Sequence, residues 1–86
     1  MGMNTEPILT SFGHSLRHFR KIKGFSQEEL GLKCGLDRTY ISGLERGRRN
    51  PTLKIINLLA KWLEIPISNL VSSIQAEGEK IENQEK

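Results

Sequence analysis

Arg38, Thr39, Ser42 and Arg46 are spaced as one side of a helix whose opposite side carries Ile41 and Leu44. Their polar groups match those on the edges of bases. An arginine donates two parallel hydrogen bonds to O6 and N7 of guanine, and a threonine offers a hydroxyl and a methyl, each good pairing discriminating by about 1–3 kcal/mol. Arg38 and Thr39, at the start of the stretch, are the expected specificity pair. Gly43 shares their side and reads no base through a side chain, although its lack of bulk lets a helix sit deeper in a groove. Arg48, Arg49 and Asn50 follow as a basic loop and, with Tyr40 and Arg46, have the composition that binds phosphate oxygens. Gln27 opens the preceding helical stretch, where backbone N–H groups and the helix dipole favour an anion.

Such chemistry needs a rigid mount, and residues 27–46 (QEELGLKCGLDRTYISGLER) supply one. Leu30, Cys34, Leu36, Ile41 and Leu44 fall where a helix, a sharp turn and a second helix all point at one small core. Gly35 is placed to stop the first helix in a left-handed conformation, which makes Gly35-Leu36-Asp37 the turn. Gly31, a poor helix former, is best used for close approach of the second helix to the first. Ser26 with Glu29 forms a capping box, Asp37 is an N-cap for the second helix, and Gly47 is its expected stop. An ordinary helical hairpin has similar caps; their coincidence with the glycines and the apolar order predicts a helix-turn-helix.

The rest of the chain reads as further helices. One is predicted from about Ser11 to Lys23, with Phe12, Leu16 and Phe19 toward the core and Gly24 at its end. Thr52 caps a fourth over Leu53–Leu63, and Pro66 opens a short fifth through about Ile74. The fold class is therefore all-α, five helices over residues 11–74, with a loose arm at 1–10 and a polar, disordered tail at 75–86. On the fourth helix Leu53, Ile56, Leu59, Ala60 and Leu63 form the expected inward stripe, while Ile55, Leu58 and Trp62 make a second. One core rarely needs both. Ile55, Leu58 and Trp62, with Ile67, Val71 and Ile74, are therefore the expected twofold interface of a homodimer; the alternative is a monomer whose C-terminal residues fold back over the helix.

From Phe12 to Val71 the chain resembles the phage-repressor/Cro-like (Xre) helix-turn-helix family, most specifically in FRKIKGFSQEEL (Phe19–Leu30) and LDRTYISGLERGRRNPTL (Leu36–Leu53). The second segment is similar to the controller proteins of restriction-modification systems. This resemblance implies a compact lambda-repressor-like domain of five helices and a transcriptional regulator that binds a palindromic operator in double-stranded DNA as a homodimer, with its third helix in the major groove. It also implies that Gln27 is the family's phosphate-bonding glutamine and that Arg20 pairs with Glu45 to brace the reading helix. Positions 55, 58 and 62 depart from the family by being apolar. A repressor covers its promoter and an activator leaves a face for RNA polymerase; either use fits. The rival reading is an antitoxin or other protein-interaction module, whose partner would cover the Ile55, Leu58 and Trp62 stripe.

Composition bounds these readings. Eighty-six residues make one domain, and a chain this short buries only about 60% of its unfolded surface. Residues 1–75 hold 11 Lys and Arg against 6 Asp and Glu, and 76–86 hold 2 against 4, so a +5 domain carries a −2 tail. A basic domain suits a polyanion. The single cysteine, Cys34, forms no internal disulfide and reads as a small core residue. No apolar run approaches the ~20 residues of a membrane span, so a cytoplasmic protein is expected. Met1-Gly2 opens like a myristoylation signal, but Glu6 stands where that pattern wants Ser or Thr. His14 and His18 lie four apart without a third ligand, so no metal site is expected, nor a cofactor, a small-molecule ligand or an enzymatic centre.

Overall fold

Pro7 is the first residue of the first helix, α1 (Pro7–Lys23), which starts four residues before the expected Ser11 and shortens the arm accordingly. Proline suits this position because its missing N–H has no helical partner there and its fixed φ is already helical. The Glu6 carbonyl accepts from the N–H groups of Leu9 and Thr10, at 3.0 and 3.1 Å. The computed structural model describes residues 6–74; the tail at 75–86 and the first five residues of the arm lie outside the described residues.

Four more helices follow, α2 (Gln27–Cys34), α3 (Arg38–Glu45), α4 (Leu53–Leu63) and α5 (Ile67–Val71). Their starts follow the local chemistry. Ser26 Oγ accepts from the Glu29 N–H at 2.9 Å while the Glu29 carboxylate accepts from the Ser26 N–H at 2.7 Å. Asp37 accepts from the Thr39 N–H at 3.1 Å, and Thr52 from the Ile55 N–H at 3.1 Å. Gly35 ends α2 with φ +73° and leaves the three-residue turn expected before α3. At the end of α4 the same left-handed conformation falls on Glu64, with φ 59°. The fifth helix stops three residues short of Ile74: beyond Val71 the chain turns, and Ser73 Oγ bonds to Ser15 Oγ at 2.8 Å and to the Ser11 carbonyl at 3.4 Å, tying this end to α1.

Phe12, Leu16, Leu30, Ile41, Leu44, Leu59, Ala60, Leu63 and Leu70 form one core drawn from all five helices. Leu53 does not join it. Although on the inward phase of α4, it sits in the first turn, beyond the edge of the core, and is 73% exposed. Cys34 is half-buried against the core, where desolvation pushes its thiol up to about 11 and keeps it protonated.

Two glycines set how closely α3 is held. A Cβ on Gly13 would lie 2.4 Å from the Glu45 carbonyl oxygen and 2.6 Å from that of Leu44, so α1 crosses α3 backbone to backbone. A Cβ on Gly31 would lie 2.6 Å from the Leu36 carbonyl oxygen. The close approach at Gly31 is thus made by the turn itself, rather than by the body of the following helix.

Candidate nucleic-acid interface

Helix α3 buries Ile41, Leu44 and Glu45 and leaves Arg38, Thr39 and Arg46 exposed, with Ser42 and Gly43 half-buried between the two sides. Three of the four side chains expected to face bases therefore stand exposed on the outer side, and Ser42 lies at its edge. Their chemical freedom differs. The Thr39 hydroxyl hydrogen-bonds to Asp37, so its proton is committed to the cap while its lone pairs and methyl group stay available. That hydroxyl, then the Thr39 N–H and the charge of Arg38, hold the Asp37 carboxyl below the usual carboxylate range.

The loop after α3 is shaped by a left-handed Gly47, φ +73°. The Gly47 N–H donates to the Leu44 carbonyl at 3.1 Å and the Arg48 N–H to the Gly43 carbonyl at 2.8 Å, which reverses the chain against the helix it has just left. Arg48, Arg49 and Asn50 are exposed on this loop. Arg49 returns over α3, its guanidinium carbon 5.6 Å from the centre of the Tyr40 ring. Tyr40 is half-buried against the core and gives the exposed loop a fixed point of contact with α3.

Behind this outer side lies a buried ion pair. Arg20 Nε and Nη2 donate to Glu45 Oε2 and Oε1 at 2.6 and 2.9 Å, and Arg20 Nη1 donates to the Phe25 carbonyl at 2.8 Å. Both residues are buried, and the hydrogen bonds with Glu45 raise the guanidinium further above its already high value against the opposing effect of desolvation. Gln27 Nε2 also donates to Glu45 Oε1, at 3.0 Å. One amide proton of Gln27 is therefore spent inside the protein. Nothing in the sequence signalled this contact, because residues 27 and 45 lie on different helices with no common period; Gly13 escaped notice for the same reason.

On the far side, Ile55, Ile67, Val71 and Ile74 are half-buried against their own core and Leu58 is half-buried beside them. Trp62 remains 41% exposed, with Lys33 Nζ 5.5 Å from its ring centre and 5.4 Å from that of Phe25. His14 and His18 are exposed. Among the described residues no three His, Cys, Asp or Glu side chains gather as metal ligands, and no helix is long and apolar enough to cross a membrane.

Residues 16–70 match the helix-turn-helix family. The chain belongs to this family, in its Xre-type branch. Control protein C.MunI from Mycoplasma sp is 40% identical over 71 residues, which are 81% of this chain and 96% of that protein. The Neisseria hypothetical transcription factor from Neisseria meningitidis is 47% identical over 58 residues, but those span only 55% of its length. Among solved structures, the restriction-modification controller protein C.AhdI from Aeromonas hydrophila is 48% identical, with a TM-score of 0.70 over 72% of this chain and 94% of that one. The controller protein C.Esp1396I, solved as a tetramer in complex with its natural 35 base-pair operator, is 38% identical, with a TM-score of 0.70 over 80% of this chain and 96% of that one. This helix-turn-helix protein is accordingly a DNA-binding regulator whose relatives include restriction-modification controllers.

Proposed function

We propose that the protein is a homodimeric, controller-type transcriptional regulator that lays α3 in the major groove of each half of an approximately palindromic operator. The observation that carries this reading is the division of α3. Its inner residues are locked by the core and by the Arg20–Glu45–Gln27 cluster, and Arg38, Thr39 and Arg46 stand exposed on the outer side with Ser42 half-buried at its edge. A reading helix must be rigid to discriminate, because a contact misplaced by a fraction of an ångström no longer separates one base from another. Gln27, Tyr40, Arg48, Arg49 and Asn50 lie around this face and fix its register on the phosphates. Homodimerisation through Ile55, Leu58, Trp62, Ile67, Val71 and Ile74 sets two reading helices about 34 Å apart, one turn of DNA. The operator bound to the C.Esp1396I tetramer supports the same use of the fold here.

Selection of bound fragments from random duplexes tests the proposal directly. It should return inverted half-sites spaced by one helical turn, with base preferences that change in the Arg38→Ala variant. Recovery of unrelated sequences would refute the operator reading, and recovery of single half-sites would refute the dimer. A restriction or methylation gene beside this one supports the controller role, and a toxin gene the rival role.

A further inference from the structure

Arg49 is not simply a charged residue on a loop. The chain reversal at Gly47 sends it back along α3, where its stem crosses Gly43: a Cβ on Gly43 would lie 2.8 Å from Arg49 Cγ, 3.6 Å from Nε and 3.7 Å from Cδ. Its guanidinium then stands 5.6 Å from the centre of the Tyr40 ring, within the range of attraction between a cation and an aromatic face. Residues 40 and 43 lie three apart and so are neighbours on one side of the helix. The missing side chain and the ring together make a notch with an aromatic end wall.

From this arrangement we infer that Gly43 and Tyr40 form a seat that pre-positions Arg49 as a phosphate clamp beside the base-reading side chains. The inference rests on the reading of Arg49 as a phosphate contact and gives Gly43 a positioning role. A free arginine loses its rotamer freedom when it binds, whereas a seated one has already lost it in the unbound protein. The seat also keeps the positive charge against α3, on the flank next to Thr39 and Arg46. This use of Gly43 differs from deeper entry of a bare helix into the groove, and the two have separable consequences.

Two measurements test it. In the free protein, the Arg49 Hγ and Hδ protons should resonate upfield in NMR spectra through the Tyr40 ring current, and should return toward random-coil positions in Gly43→Ala and Tyr40→Leu but stay upfield in Tyr40→Phe. Random-coil Arg49 shifts in the wild type overturn the seat without reference to DNA and whether or not any variant folds. In the second measurement, wild type, Gly43→Ala, Arg49→Ala and the double variant are titrated with a fluorescein-labelled 30-base-pair duplex of random sequence over a range of salt concentrations. Gly43→Ala and Arg49→Ala should each lower the salt slope by about one per protomer, and the double variant should match Arg49→Ala alone. A double variant that loses affinity by the product of the two single losses overturns the seat in favour of groove depth. An Arg49→Ala slope equal to wild type, with the upfield shifts present, overturns instead the phosphate reading beneath it.

Discussion

Glu45 accepts three side-chain hydrogen bonds, two from Arg20 and one from Gln27, and so joins α3 to both helices before it. Its replacement by alanine leaves the Arg20 guanidinium buried without a counter-charge, a loss that costs about 3–5 kcal/mol. Urea unfolding of Glu45→Ala should therefore shift well below wild type, and affinity for DNA should fall as a consequence of the looser helix; a midpoint equal to wild type would remove the brace. Asp37 acts differently, at the surface. Hydrogen bonds from Thr39, with Arg38 adding, depress its pKa on folding. The stability it contributes is then complete above the unfolded carboxyl value, near pH 4, and is lost as pH falls through the lower folded value. Thermal melts of wild type and Asp37→Asn should differ by a constant amount above about pH 5 and converge in stronger acid. A difference that held unchanged to pH 2 would show that the carboxylate charge plays no part in the cap.

The crossing of α1 over α3 allows no side chain at residue 13, since the groups a Cβ would meet are backbone carbonyls that cannot step aside. Gly13→Ala should cost about 1–3 kcal/mol, the range for overpacking a closed interface, despite alanine's better helix propensity. A variant as stable as wild type in urea would mean that α1 slides freely on α3. Much of this architecture was legible in the sequence. Ser26, Glu29, Asp37, Thr52 and Gly35 act on backbone groups within a few residues of themselves, so their roles could be read from local order alone. The split of α3 followed from its period. Leu53 has the inward phase yet lies outside the core, because a period gives the phase of a helix and not the point at which it emerges from the core. Pro7 opens α1 where a loose arm is expected, because a proline opening a helix looks, in sequence, like one that precludes it. The Gln27–Glu45 bond and the return of Arg49 over Tyr40 were invisible for another reason: each joins segments whose relative placement is decided only by the packed whole.

At the scale of the whole molecule, the outer side of α3 and the α4–α5 face have different characters, charged and open on one side, apolar and half-covered on the other. If self-association uses the second face, Trp62→Arg should leave the fold intact, since the side chain is already 41% exposed, and should move sedimentation at micromolar concentration from dimer to monomer. Unchanged sedimentation would direct the search for an interface elsewhere. The placement of the tryptophan makes the α4–α5 face observable without any label. The chain holds one tryptophan and one tyrosine, Trp62 on α4 and Tyr40 on α3, each with a cation near its ring. If the α4–α5 face holds a second copy, red-edge excitation, which neither tyrosine nor nucleic acid absorbs, should report dilution of the oligomer through the indole alone. The protein thus carries an intrinsic optical gauge of self-association, and the gain or loss of a partner copy can be timed in a mixing experiment with or without a duplex present.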